Sequence, residues 1–289
     1  MRLFLITALV MLAFAANSVL NRMAVGGGDI GAVEFAVIRL AAGAAVLLAL
    51  VLWRGRGLRG ATVAGVAGLL VYLFGFSLAY GRLDAGTGAL VLFGVVQVTM
   101  FGGALLAGEG VPVRRWVGAG LALGGLAVLV APVGSGLAGG GWAGFAAMAA
   151  AGVGWGLYSL AGRGAQDALG ATAGNFAIAL VPGVAVALLI GVDVGAASLW
   201  GIGLAVLSGA VTSGLGYALW YAVLPALGAG RAAVAQLTVP LIAAAGGAAL
   251  IGEAVGWRFA VASALVLGGV AWASLPRANP SKAASRGDG

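Results

Sequence analysis

Ten apolar runs of 18 to 24 residues, separated by short charged or glycine-rich stretches, occupy most of this 289-residue chain. A transmembrane helix needs about 20 apolar residues to cross the hydrocarbon of a bilayer. The chain is 62% hydrophobic and only 8% charged, with a mean hydropathy of +1.12, whereas about a quarter of the residues of a soluble domain are charged. The sequence therefore predicts an all-α polytopic membrane protein with ten transmembrane helices. The predicted spans are residues 3–21, 33–53, 60–80, 86–107, 114–131, 142–161, 173–191, 199–222, 231–251 and 257–275.

The positions of the fifteen basic residues predict how the spans are oriented. With the N-terminus in the cytoplasm, eleven of the fifteen fall on the cytoplasmic side, three fall on the outer side, and Arg39 lies within a span. Because the cytoplasmic loops of a membrane protein carry an excess of Lys and Arg, both termini are expected in the cytoplasm. The expected location is the bacterial inner membrane, and the polar tail at 276–289 is expected to be disordered.

The second half of the sequence repeats the first. Residues 102–109 match residues 246–253 with an offset of 144, and Tyr80 matches Tyr221 with an offset of 141. Each copy contains five spans, and since five is odd, the second copy enters the membrane from the opposite side. The sequence therefore predicts two inverted five-helix repeats, a plan that recurs in alternating-access transporters. The predicted copies are residues 1–134 and 135–275.

The ten spans form two halves, and each half contains a helix that ends in Gly-x-x-x-x-Gly-Glu. In these features the chain resembles the drug/metabolite transporter superfamily, in its EamA-type branch. The resemblance implies efflux from the cytoplasm by alternating access, through a central cavity that the two repeats share. The aromatic side chains deep in predicted helices 3, 6 and 8 are similar to those of bacterial exporters of aromatic and other apolar amino acids. One position departs from the family pattern: the fourth helix has Gln97 and no proline, whereas the ninth has Pro240.

Polar and aromatic side chains inside the spans are the candidates for binding a substrate. An unpaired polar group in lipid is costly, and tyrosine and tryptophan combine a flat apolar face with a hydrogen-bond donor. The competing interpretation is an ordinary hydrogen bond for each polar residue and ordinary packing for each aromatic one. The candidate substrate-binding residues are Asn17, Tyr72, Phe76, Ser77, Gln97, Trp155, Tyr158, Thr212, Ser213, Tyr217, Gln236 and Thr238.

Arg39 is the one charged residue well inside a predicted span. A charge at this depth costs about 3 kcal/mol on insertion scales and points to a functional role, either as a gate or as a partner for the carboxylate of a zwitterionic substrate. Two structural interpretations compete with this role: the side chain extends to the outer surface, or it pairs with Glu34 five positions earlier. Pro182 and Pro240 are predicted to interrupt helices 7 and 9 and to act as hinges.

The composition excludes several kinds of chemistry. The chain has no histidine and no cysteine, which excludes metal sites with histidine or thiolate ligands, a Ser–His dyad and a thiol nucleophile. No aspartate or glutamate lies at mid-membrane, so a proton relay or a sodium site is not evident. We therefore expect no cofactor, no metal, no catalytic residue and no nucleic-acid partner. The expected partners are a small solute and the lipid bilayer, and the oligomeric state stays open.

These observations predict a transporter that exports small solutes, with aromatic or apolar amino acids as the favoured class and facilitated export or exchange as the mode. The alternative within the same fold is an exporter of drugs or quaternary cations, since aromatic faces also bind cations. A channel or a membrane-embedded enzyme fits less well, because the acidic residues are scattered along the chain. Phosphorylated solutes are disfavoured because Arg39 is the only basic residue available in the membrane.

Overall fold

The computed structural model describes residues 1–106, 108, 112–130, 141–162, 165–192 and 196–274, and within these it contains helices and no strands. Eight helical segments are long and apolar enough to cross a membrane, and two shorter apolar helices, Trp116–Leu129 and Trp257–Ala273, bring the number to ten. The predicted all-α fold with ten spans is therefore confirmed. The α-helices are α1 (Arg2–Asn21), α2 (Ala32–Trp53), α3 (Val63–Tyr80), α4 (Ala85–Leu106), α5 (Val113–Val130), α6 (Gly141–Gly162), α7 (Ala168–Ile190), α8 (Leu199–Leu207), α9 (Gly216–Gln236), α10 (Thr238–Ile251) and α11 (Trp257–Ser274).

The eighth and ninth spans differ from the prediction where they meet. The eighth span, Leu199–Leu224, comprises α8, a π-helical segment at Ser208–Leu215 and the first turns of α9. We predicted a break between residues 222 and 231, but α9 continues to Gln236, and the single turn residue Leu237 separates it from α10. The drop in hydropathy marks the edge of the span, whereas the helix itself runs past that edge.

Pro240 interrupts the helix of the predicted ninth span, residues 231–251, but it does so from the first turn of α10 rather than from inside one continuous helix. Proline has no N–H to bond the carbonyl four residues earlier, and its ring clashes with that carbonyl, which here belongs to Gln236. The helix therefore breaks at Leu237, and Pro240 occupies a turn whose amides need no acceptor within the helix. Pro182, in contrast, lies inside α7 as predicted.

α7 begins at Ala168 rather than at the predicted residue 173. The Asp167 carboxylate accepts a hydrogen bond from the backbone N–H of Gly170 at 3.1 Å and so caps the helix, a role that suits aspartate. The same carboxylate pairs with Arg56 at 3.1 Å. Hydropathy alone misses this first turn because the residue that starts it is charged.

The packing of the spans follows the internal repeat. Spans 2 and 7 (α2 and α7), 4 and 9 (α4 and α10), and 5 and 10 (α5 and α11) are repeat partners. The members of each pair pack directly together. The contact of span 3 with span 6 has its counterpart in the contact of span 1 with span 8, and span 4 contacts span 6 as span 1 contacts span 9. Two five-helix units related by a pseudo-two-fold axis produce this pattern. The predicted boundary at residue 134, the tail at 276–289 and Glu109 lie outside the described residues.

Glycines let two of these helix pairs touch through their backbones. A Cβ placed on Gly68 of α3 would lie 2.7 Å from the carbonyl oxygen of Gly154, and one on Gly154 of α6 would lie 2.6 Å from that of Gly68. Gly118 of α5 and Gly269 of α11 face each other in the same way. Helices in lipid associate through close packing of this kind, which explains how a chain with 54 glycines forms a compact bundle.

The orientation can be tested with single-cysteine variants, because the chain has no cysteine of its own. Gly57, between α2 and α3, and Gly256, between α10 and α11, are both exposed. If the termini are cytoplasmic, a membrane-impermeant maleimide will label Gly256→Cys in intact spheroplasts and will label Gly57→Cys only after permeabilisation. Labelling of Gly57→Cys in intact spheroplasts would mean that the orientation is reversed.

Candidate functional site

A small cavity, which we call the aromatic cavity, lies between α1, α3, α4, α6 and α9. Side chains from both halves of the chain line it, and most of them are aromatic. Five were predicted as site residues: Asn17, Tyr72, Phe76, Trp155 and Tyr217. Four were not: Phe14, Ser18, Leu92 and Phe93. Phe14 could have been found from its spacing, since it lies three residues before Asn17 and residues three or four apart share a helix face. Ser18 lies four residues after Phe14 and so follows from the same rule.

Trp155 is the centre of the ring contacts around the aromatic cavity. Its ring centroid lies 4.9 Å from that of Tyr72, 4.8 Å from that of Tyr217 and 5.8 Å from that of Phe14, separations that are typical of favourable aromatic pairs. The space left between the rings holds about one water molecule. The rings therefore fill most of the cavity in this conformation.

Arg39 is completely buried beside the aromatic cavity, with 0% of its surface exposed. Its Nε donates to Ser213 Oγ at 2.8 Å, and its Nη2 donates to the hydroxyls of Tyr72 and Tyr217 at 2.9 Å each. Tyr217 donates in turn to the Tyr72 hydroxyl at 2.9 Å. The guanidinium carbon lies 5.2 Å from the ring centroid of Tyr72 and 4.9 Å from that of Phe76, within cation–π range. We call Arg39, Tyr72, Ser213 and Tyr217 the arginine cluster.

Neither structural interpretation of Arg39 drawn from the sequence is correct. The side chain does not extend to the outer surface, because it is fully buried and bonded to groups of the third and eighth spans. It does not pair with Glu34, because residues five apart on an α-helix are about 140° apart around the axis. Glu34 instead folds back over the first turn of α2, where its carboxylate lies against Gly31 and where a negative charge is favoured.

Asn17 connects the aromatic cavity to the π-helical segment Ser208–Leu215. Its Oδ1 accepts hydrogen bonds from the hydroxyls of Ser208 and Thr212, the latter at 3.0 Å, and its Nδ2 donates to Ser213 Oγ at 3.5 Å. For Thr212 and Ser213, therefore, the interhelical hydrogen bonds considered above are present. Ser208 was not predicted, although its spacing of four residues from Thr212 places the two hydroxyls on one helix face.

Ser77 is held by a residue outside the predicted set of site residues. Asn21, which follows Asn17 by about one turn of α1, is completely buried, and its Nδ2 donates to Ser77 Oγ at 2.9 Å. This bond joins the first span to the third. The signal that could have revealed it is the repetition of asparagine four residues along one helix, which puts two amides on the same face.

The remaining predicted residues lie outside the aromatic cavity. Tyr158 is buried behind Trp155 and stacks on it, with ring centroids 5.5 Å apart. Gln97 is partly buried on α4 and does not line the cavity. Gln236 is buried at the end of α9, and its side-chain oxygen has no hydrogen-bond partner among the described residues. Thr238 is exposed, and its hydroxyl donates to the carbonyl of Ala235 at 2.7 Å.

A second polar cluster joins the two halves at the end of the bundle that we predict to be outer. Glu253 accepts hydrogen bonds from Nε of Arg22 and from the backbone N–H of Ala85, the first residue of α4, at 2.8 Å each. Arg22 also donates to the carbonyl of Tyr80 at 3.1 Å and lies 3.5 Å from Asp84. The glutamate that ends the repeated Gly-x-x-x-x-Gly-Glu segment thus ties the end of the ninth span to the start of the fourth.

A family model described as the EamA-like transporter family matches residues 142–275. The chain is also 46% identical over 280 residues to the uncharacterized protein PA1977 of Pseudomonas aeruginosa, and the match covers 96% of each chain. The chain belongs to the EamA-like transporter family. A crystal structure of a protein that is 25% identical in sequence to this EamA-like chain has a similar fold, with a TM-score of 0.67. The match covers 93% of this chain and 98% of the protein in that crystal structure.

Membership in the EamA-like family confirms the resemblance to the drug/metabolite transporter superfamily and identifies the protein as a membrane transporter. The fold agrees with this assignment, since the ten apolar helices of the described residues are compatible with the family. The closer likeness to exporters of aromatic amino acids stays a prediction.

The second polar cluster generates a stability prediction for this EamA-like protein. Glu253→Ala is expected to lower the free energy of unfolding by about 2 to 3 kcal/mol, because it leaves a partly buried guanidinium and a helix N-terminus without their acceptor. Asp84→Ala is the matched control. Asp84 is half exposed and 3.5 Å from the same arginine, so its loss should cost less than about 1 kcal/mol. Denaturation in detergent, followed by circular dichroism, measures both, and equal losses would contradict this account.

Proposed function

We propose that the protein exports aromatic or apolar amino acids across the bacterial inner membrane by alternating access. The observation that carries the proposal is the aromatic cavity, to which α1, α3 and α4 of the first half and α6 and α9 of the second contribute side chains. Solute sites of transporters with inverted repeats lie at the interface between the repeats. In this proposal the two moving units are residues 1–134 and 135–275.

The chemistry of the lining suits a solute with a large apolar part and a small polar end. Binding sites for small molecules are mostly apolar, with a few polar groups that fix the orientation of the ligand. Here the rings of Phe14, Tyr72, Phe76 and Trp155 supply flat apolar faces, and Asn17 supplies an amide at the cavity wall. An aromatic amino acid matches both parts of this surface.

The cavity has to widen before it accepts such a solute, since space for about one water molecule is far smaller than an amino acid. We therefore assign the described conformation to a state that is closed around the site. Two places allow the spans to bend: Pro182 inside α7, and the turn at Leu237 between α9 and α10. Opening towards the outer side would also separate Arg22 from Glu253, which bond across the two halves.

The proposal includes no coupling to protons or sodium. Coupled carriers usually place carboxylates or histidines at depth in the membrane. Glu34 lies in the first turn of α2, Glu253 lies two residues beyond the end of α10, and among the described residues no carboxylate lines the aromatic cavity. Facilitated export down a gradient, or exchange, is the mode that these placements support.

Export of quaternary cations by the same fold is less well supported. Aromatic faces attract cations, but the faces of Tyr72 and Phe76 are already in contact with the guanidinium of Arg39. A second cation in the aromatic cavity would meet the repulsion of this buried charge, which is strong where water is excluded.

Transport in proteoliposomes of the purified protein tests the proposal. We expect saturable uptake and counterflow of radiolabelled phenylalanine or tryptophan, at the same rate with and without a pH gradient. Tyr72→Ala should lower this rate about tenfold or more, because it removes a ring and a hydroxyl from the site, and ~1.4 kcal/mol of lost interaction already corresponds to a factor of ten.

Tyr221→Phe is the matched control for this experiment. Tyr221 is a buried tyrosine one turn along α9 from Tyr217, and its hydroxyl donates to the backbone carbonyl of Tyr158 at 3.5 Å rather than to the cavity. Its flux should stay close to that of the unmodified protein. Absence of flux for every amino acid would contradict the substrate assignment and would favour cationic solutes instead.

A further inference from the structure

Arg39 carries a buried positive charge that no carboxylate balances among the described residues. Its hydrogen-bond acceptors are the neutral hydroxyls of Ser213, Tyr72 and Tyr217, and its guanidinium also lies over the rings of Tyr72 and Phe76. Fully buried charged side chains are ordinarily paired with an opposite charge, and charges at membrane depth mark substrate pathways. A ligand with a negative charge can therefore supply the missing counter-charge.

Two hydrogen-bond donors in the same region also lack an acceptor. Nη1 of Arg39 and Nε1 of Trp155 are buried without a partner among the described residues, and Trp155 lines the aromatic cavity with 3% of its surface exposed. The Tyr72 hydroxyl accepts hydrogen bonds from both Arg39 and Tyr217, which leaves its own hydrogen to be donated. Buried donors are nearly always satisfied in native proteins. This excess of donors is therefore complementary to a group that accepts hydrogen bonds and donates none.

We propose that the aromatic cavity and the arginine cluster bind the carboxylate of the transported solute, and that the substrates are apolar monocarboxylates with or without an amino group. The carboxylate accepts hydrogen bonds from Trp155 Nε1 and the Tyr72 hydroxyl, while Arg39 supplies the counter-charge from behind Tyr72. The rings of Phe14 and Phe76 contact the apolar part. This inference rests on the proposed export function and deepens it, since it states which end of the solute is recognised.

A single guanidinium also sets limits on the solute. An amine without a carboxylate would bring a second positive charge close to Arg39 and would leave the donors unpaired. A phosphate ester would bring two negative charges to a region that holds one cation, whereas phosphate sites rely on several charge-assisted donors. The amino group of an amino acid has no counter-charge among the described lining residues, so its removal should cost little.

Direct binding to the full-length purified protein tests the carboxylate site independently of transport. Radiolabelled 3-phenylpropionate, which has a carboxylate and no amine, is the probe, and binding is measured by scintillation proximity. Unlabelled phenylalanine should compete with the probe at a similar concentration to unlabelled 3-phenylpropionate. Phenethylamine, which has the ring and the amine but no carboxylate, should require at least a tenfold higher concentration, and sodium chloride should not compete at concentrations at which the carboxylates do.

Three variants link the selectivity to named groups. Trp155→Phe keeps a ring but removes the unpartnered donor, and it should weaken 3-phenylpropionate binding about tenfold while changing phenethylamine competition little. Arg39→Gln should abolish the preference for carboxylates, and if this variant does not fold, Trp155→Phe and the ligand series decide the matter. Tyr221→Phe, whose hydroxyl faces a backbone carbonyl outside the cavity, should bind like the unmodified protein.

The outcomes separate this inference from the export proposal. Binding of 3-phenylpropionate without flux of any amino acid would refute the export of amino acids and leave the carboxylate site in place. Equal competition by phenethylamine and 3-phenylpropionate would refute the carboxylate site, even if phenylalanine is transported. Displacement of the probe by chloride at the concentrations that suffice for the carboxylates would also refute it, because the arginine cluster would then hold an inorganic anion.

Discussion

The burial of the Arg39 guanidinium between three membrane spans is the interaction on which the centre of this protein depends. Lipid offers no water to solvate a charge, so the groups that accept hydrogen bonds from Arg39 must lie inside the bundle. Tyr72 comes from the third span, and Ser213 and Tyr217 come from the eighth, so the charge holds these two spans against the second. Each bond to a charged group is worth about 1.5 to 3 kcal/mol, which makes this cluster a firm link between the two halves of the chain.

A glycine and a local change of helix type bring Ser213 to Arg39. A Cβ on Gly209 would lie 2.9 Å from the carbonyl carbon of Arg39, so any larger residue there would push the second and eighth spans apart. Gly209 belongs to the π-helical segment Ser208–Leu215, which Asn17 holds through Ser208 and other hydroxyls. Segments of this type are frequent at functional sites. The wider helix turn thus places donors and acceptors of the eighth span where a regular α-helix would not.

The number and position of the spans could be predicted because apolar length and basic loops are properties of the chain itself. The surroundings of Arg39 could not, because the choice between Glu34, the outer surface and the hydroxyl groups depends on which helix faces meet. The same reason explains why Asn21 and Ser208 were missed. The π-helical segment leaves no pattern in hydropathy, and the break at Leu237 was misplaced because Pro240 acts on the carbonyl four residues before it.

The internal repeat also explains why aromatic residues line the cavity while a charged residue, Arg39, lies next to only one of its walls. With the offset of 141, Phe14 corresponds to Trp155 and Phe76 corresponds to Tyr217, and all four of these residues line the cavity. Equivalent positions of the two repeats therefore supply rings to the cavity from both halves of the chain. The same offset carries Arg39 to a leucine, at position 180, so the charge has no counterpart in the second repeat. The repeated positions make the aromatic cavity apolar. Because Arg39 is not repeated, the two sides of the cavity differ, and one end of a solute can be oriented towards the charge.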